Sequence, residues 1–160
     1  MTRYAEGTSV PVEKTRAEIE RLVLRYEGKQ FASGWLDDAT AILGFKMADR
    51  HVRFQLELPD RSLPEFRRTP AGRFVRTPDE QFKAWDAACR QKWRALLLVI
   101  KAKLESVESG IETFDAAFLA NTVLPDGKTA GDHTIPAIAA AYESGKMPAG
   151  LLALPEHVER

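Results

Sequence analysis

TPDEQFKAWDAACRQKWRALLLVIKAKLESVESG, residues 77–110, decides the architecture of this chain. It reads as one long helix. Thr77 can accept from the backbone N–H three residues on, Pro78 suits the first turn, and Glu80 can reach back to close a capping box. Gly110 supplies a left-handed stop. At 100° per residue the segment shows three stripes. Phe82, Trp85, Cys89, Trp93, Leu96, Ile100, Leu104 and Val107 share one face, wide and aromatic enough to bury against a sheet. Ala84, Ala88, Ala95, Val99, Ala102 and Ser106 form a second face that lets another helix come close, and Lys83, Arg90, Arg94 and Lys101 form a third. Two apolar faces make the helix a central spine.

Around that spine the chain predicts a single α+β domain over residues 1–145, followed by a tail over 146–160. Residues 1–11 read as extended. An amphipathic helix follows from about Glu13 to Tyr26, with Ile19, Leu22, Val23 and Tyr26 on one face, Arg21 and Arg25 on the wetter side, and Gly28 as its stop. Gln30–Leu36, Ala39–Met47 and His51–Leu58 read as three strands of an antiparallel meander, the last two joined at Asp49-Arg50. Ala41, Leu43, Phe45 and Met47 alternate inward, as do Val52, Phe54, Leu56 and Leu58, so one side of the sheet stays polar. Residues 59–76, with Pro64, Pro70 and Gly72, read as a mobile, irregular basic link. Beyond the spine comes a smaller helical part: Ile111 to Asn121, a tight turn at Asp126-Gly127, and a last short helix capped by Thr134 and stopped by Gly145.

Composition sets the class. With 160 residues, 44% hydrophobic and 29% charged, the chain holds enough apolar mass for one good core. No run approaches the roughly 20 apolar residues that span a bilayer, and the first six residues lack the apolar centre of a signal peptide. The one cysteine, Cys89, sits on the spine's apolar face, which suggests a packed thiol in a reducing, cytoplasmic compartment. The net charge of zero conceals polarity along the chain. Residues 61–103 carry eleven Lys and Arg against four Asp and Glu, while residues 111–160 carry three against seven. Either the acidic end neutralises the basic middle, or the middle is an anion-binding patch.

Several strings resemble a family of uncharacterised bacteriophage and prophage proteins. They are Thr8-Ser9-Val10-Pro11-Val12, Arg16-Ala17-Glu18-Ile19-Glu20-Arg21, Arg90 with Trp93-Arg94-Ala95-Leu96, Ile100-Lys101-Ala102-Lys103-Leu104-Glu105, and Leu124-Pro125-Asp126-Gly127. The resemblance covers most of the chain, thinning over residues 60–76 and after Gly145. It implies a phage-derived protein of the bacterial cytoplasm, and it brings no activity or catalytic residue with it.

The residues themselves point to binding rather than catalysis. Gly127-Lys128-Thr129 imitates the end of a phosphate-binding loop, but position 122 is Thr122 where a glycine is needed. Asp115, Asp126, Asp132 and His133 lack any metal-ligand spacing. Cys89 between Trp85 and Trp93 lacks the exposure of a nucleophile, and Glu18/Glu20 and Asp37/Asp38 lack the asymmetric surroundings of an acid–base pair. No catalytic, cofactor or metal site is expected. The candidate contact surface is cationic: Arg67, Arg68, Arg73 and Arg76 of the link, folded over Lys83, Arg90, Arg94 and Lys101 of the spine, with Phe66 and Phe74 placed to stack on bases. Its partner would be nucleic acid or an acidic protein surface, the alternative being a protein-directed modulator of a host defence complex and, least favoured, a small enzyme. A near-neutral pI argues against a dedicated nucleic-acid binder, and Arg90, Arg94 and Lys101 have C-terminal acids as alternative partners. A homodimer through the aromatic face would follow wherever the chain leaves that face open.

Overall fold

Thr77 starts the spine as its sequence requires. In the computed structural model, which describes residues 4–147, Thr77 Oγ1 accepts from Glu80 N–H at 3.3 Å while Glu80 Oε2 accepts from Thr77 N–H at 2.8 Å. The helix, α3, runs Pro78–Glu108, and Gly110 takes the left-handed conformation after it with φ +70°. Thirty-one residues at 1.5 Å each make a rod of about 45 Å. Its first face is the core face: Cys89, Trp93, Leu96, Ile100 and Leu104 are buried.

The other elements are α1 (Val12–Arg25), β1 (Lys29–Trp35), β2 (Thr40–Met47), β3 (Arg50–Glu57), α2 (Pro64–Arg67), α4 (Phe114–Phe118) and α5 (Ala130–Ser144), with a 3-10 turn at Leu119–Asn121. The strands form an antiparallel sheet in the order β1-β2-β3. Met47 pairs with Arg50, so the β2–β3 turn is Ala48-Asp49, one residue earlier than the sequence suggested. Both have positive φ, as a two-residue turn of the primed type demands. Leu43, Phe45, Val52 and Phe54 face inward against α1, α3 and α4, and Phe118 stands edge-on to both Phe45 and Phe54. Helices therefore cover one side of the sheet only. This is the α+β arrangement that alternation and spacing predicted.

Four local readings are corrected. The left-handed residue ending α1 is Glu27 (φ +64°), not Gly28. Gly28 is needed for close approach instead, because a Cβ there would lie 2.4 Å from Val23 Cγ1 and 2.9 Å from the Val23 carbonyl oxygen. The link is not devoid of structure. It contains α2, whose Phe66 is buried, and a loop closed by the Arg68–Val75 bridge with Gly72 at φ +69°. The helix expected from Ile111 starts only at Phe114, because Thr113 Oγ1 caps it through Ala116 N–H. The last helix begins at Ala130, four residues before Thr134. Thr129 and Asp132 form its capping box, and the Thr134 hydroxyl donates back to Ala130 O at 2.8 Å. The expected tail lies, from residue 148 onward, outside the described residues. Among those described, no helix is long and apolar enough to cross a membrane.

Candidate anion-binding surface

α1 and α3 run side by side in the same sense, with Glu18 facing Arg94 and Tyr26 facing Glu105. On α1, positions 18, 21, 22 and 25 fall on one helix face, and on α3 positions 94, 97, 98 and 101 do the same. Where the two faces meet, the molecule has an open groove of about 410 Å³, its floor made by Leu22, Leu97 and Leu98. Arg21, Arg25, Arg94 and Lys101 line it together with Glu18 and Tyr4. Arg94 Nη1 donates to Glu18 Oε2 at 2.6 Å, and that pair is partly buried. Arg21, Arg25 and Lys101 make no ion pair among the described residues. Three cations outside any ion pair among the described residues thus border the channel, Arg25 also lining the acidic depression at its end. Its positive stretch ends at Glu27, Glu105 and Glu108, which gather round Tyr26. There the Tyr26 hydroxyl donates to Glu105 Oε2, and this bond, with burial, raises the phenol above its ordinary range.

The cations predicted from sequence are distributed less simply. Lys83 pairs with Asp79 at 2.7 Å, which holds its ammonium above the usual lysine range, and Arg90 pairs with Asp86. Among the described residues, Lys101 alone of the four spine cations makes no ion pair. Arg67, Arg68 and Arg73 are exposed on the link, and Phe74 beside them is 71% exposed. Arg76 is a structural residue whose Nη1 donates to Glu65 O at 2.9 Å. Phe66 is buried, so its ring cannot stack on a base without α2 moving. The link also does not fold over the basic stripe. Its contacts to α3 are Trp85 Nε1 donating to Pro59 O at 2.8 Å, Gln81 Nε2 donating to Arg76 O, and the Arg61 guanidinium lying 5.1 Å from the Phe82 ring centre. At 100° per residue those positions are roughly a quarter turn or more round the helix from Lys83–Lys101. The expected continuous surface is two patches.

Among the described residues the C-terminal acids make no ion pair with the spine. Asp115 pairs with Arg50 at 3.2 Å and Asp132 with Arg53 at 3.5 Å, so they tie the C-terminal helices to β3. His133 Nε2 lies 2.7 Å from Asp126 Oδ2, and the Lys128 N–H and that imidazole both hold Asp126 below the ordinary carboxylate range. Among the described residues no cluster of three or more His, Cys, Asp or Glu is gathered. Burial pushes the Cys89 thiol up to about 11, far from a reactive thiolate. The aromatic face of the spine closes on the core, with Trp93 only 2% exposed and Phe82 left at the rim.

Arg21 and Arg25 are the residues sequence reasoning passed over as wet-side filler. Their signal was a like-charge pair at i and i+4, mildly destabilising on a helix by itself. The open side of the sheet holds another depression, about 570 Å³, floored by Ala32, Gly34, Ile42 and Gly44. Gln30, Ser33 and His51 line it as well, and Arg53 there is engaged by Gly127 O and Asp132. No family model, curated protein or solved structure matches this chain.

Proposed function

We propose that the protein is a non-catalytic binding module whose partner is a polyanion, best satisfied by a nucleic-acid backbone. The observation that carries this is the convergence of Arg21, Arg25 and Lys101 on one groove, none of them in an ion pair among the described residues. A linear anion lying along the α1–α3 groove would place phosphates against those three groups, while Arg67, Arg68, Arg73 and exposed Phe74 offer a second contact. This reading fits a phage-derived accessory protein working in the host cytoplasm, as the sequence resemblance implies.

Labelled single- and double-stranded DNA titrated at low and high salt tests it. Each cation that meets a phosphate adds about 0.7 to 0.9 to the slope of log K against log salt. Arg21→Ala, Arg25→Ala and Lys101→Ala together should therefore flatten that slope by about 2 to 3. Absence of binding by the wild type at low salt, or an unchanged slope in the triple variant, rules the reading out. A protein-directed modulator is the second reading. It is favoured by the exposed rim of Trp35, Leu36 and Phe82 with Arg61, a composition typical of interface anchors.

A further inference from the structure

At the end of the sheet where β1 turns into β2, two indoles share an open depression of about 420 Å³ with Leu36, Asp37 and Asp38. They are Trp35, the last residue of β1, and Trp85, near the start of α3. Trp35 is in register with buried Ala41, so its side chain leaves the sheet on the helix-covered side. Even so, 57% of it is exposed.

The depression carries a sign as well as apolar walls. Two carboxylates line it, and no lysine or arginine does. Neither carboxylate makes an ion pair among the described residues. Asp37 Oδ1 accepts from the Ala39 and Thr40 N–H groups at 2.8 and 2.6 Å, which holds that carboxyl below its ordinary range and leaves Oδ2 outside those bonds. One wall already seats a cation of the chain itself. The Arg61 guanidinium lies 5.8 Å from the Trp85 ring centre and 5.1 Å from that of Phe82, which packs on Trp85 at 5.9 Å. Among the described residues, Arg61 makes no ion pair and no cation lies over Trp35.

We propose that this depression receives an arginine side chain presented by a basic protein partner. Indole faces and carboxylates both attract a cation, so the two kinds of wall act together. Arginine suits them better than lysine. Its planar, weakly hydrated guanidinium lies flat on an indole while the N–H edge stays free for a carboxylate. The rim selects a protein over a small free cation. Leu36 and Phe82, 60% and 44% exposed, extend the apolar surface beyond the reach of one guanidinium. The inference does not depend on the polyanion groove; it rests on the protein-directed reading and names that partner's chemistry.

A blocked Ala-Arg-Ala peptide titrated into isotopically labelled full chain tests it by nuclear magnetic resonance. Three tryptophans give three indole N–H signals, assigned with Trp35→Phe and Trp85→Phe. The Trp35 and Trp85 signals should move, and that of buried Trp93 should not. Ala-Lys-Ala should bind more weakly, and Ala-Gln-Ala or tetramethylammonium should leave all three in place. Trp35→Ala should weaken arginine binding, read at Trp85, by about five-fold. Asp38→Asn, in an exposed turn, should weaken it by about three-fold with the far-ultraviolet spectrum unaltered. Lysine binding as tightly as arginine, tetramethylammonium moving the same signals, or unchanged affinity in either variant overturns the proposal. Equal shifts from every peptide keep the rim as a contact surface but remove arginine as its guest. Shifts from none remove both, and DNA binding through Arg21, Arg25 and Lys101 is untouched by either result.

Discussion

Trp93 and Trp85 sit eight residues apart on one helix face, yet truncating them to Phe should reverse the order their burial suggests. Trp93 is the deeper, and its indole N–H has no acceptor among the described residues, whereas Trp85 Nε1 donates to Pro59 O at 2.8 Å. Replacing indole by phenyl at position 93 removes about 40 Å² of buried apolar surface, worth about 1 kcal/mol. The gap left behind adds about 1 kcal/mol more. Against this, an orphaned buried donor costs about 1–3 kcal/mol, and Trp93→Phe deletes it. The arginine over the ring, Arg16 at 5.9 Å, keeps an aromatic face to rest on. The net change should fall within about 1 kcal/mol of zero. Trp85→Phe loses less area, but it also removes a made hydrogen bond and loosens the anchor of the link, for about 1–2 kcal/mol. Urea unfolding followed by far-ultraviolet circular dichroism, at constant m, measures both. If Trp93→Phe proves the costlier by more than about 1 kcal/mol, the orphaned N–H carries no penalty and the reasoning fails.

Two further substitutions probe other parts of the fold. Gly28→Ala should destabilise by about 1–3 kcal/mol, since the new Cβ meets Val23 Cγ1 and, less forgivingly, the Val23 carbonyl. A thermal melt should show the loss, and it should be smaller when Val23→Ala is already present; a neutral Gly28→Ala would contradict the close approach. Cys89 makes a pH prediction. Burial raises its pKa in the folded chain from 9.0 to about 11, so the stability it permits is complete below pH 9 and drains away as pH climbs towards 11. Urea midpoints at about pH 8 and about pH 10.5 should therefore fall further in the wild type than in Cys89→Ala, and equal falls would exclude a buried thiol.

Much of the scaffold was legible because its signals are local. Thr77, Pro78 and Glu80 lie within one turn, so the start of α3 is written in four consecutive residues. The alternation of Val52, Phe54, Leu56 and Leu58 faces β3 inward without knowledge of any partner. Where local rules competed, the reading slipped. Thr129 and Thr134 both suit a helix start, and Asp132, three residues after Thr129, settles the matter. Gly28 offers the left-handed conformation, but Val23 needs the space of its missing side chain, so Glu27 takes the turn. Phe66 looked like a loop aromatic because nothing near it in sequence shows that α2 carries it inward.

The candidate surface was legible in type but not in place. That this chain concentrates arginine and lysine between residues 61 and 103 is a property of the sequence alone, as are the spine, the meander and the single packed thiol. Which cations keep a free charge is a different kind of fact. It depends on Glu18 meeting Arg94 across seventy-six positions, on Asp115 and Asp132 going to β3, and on α1 laying Arg21 and Arg25 beside Lys101. The reason is range. Capping and periodicity act over one or two turns, whereas a Coulomb pair is settled by whichever opposite charge the finished packing brings within about 4 Å.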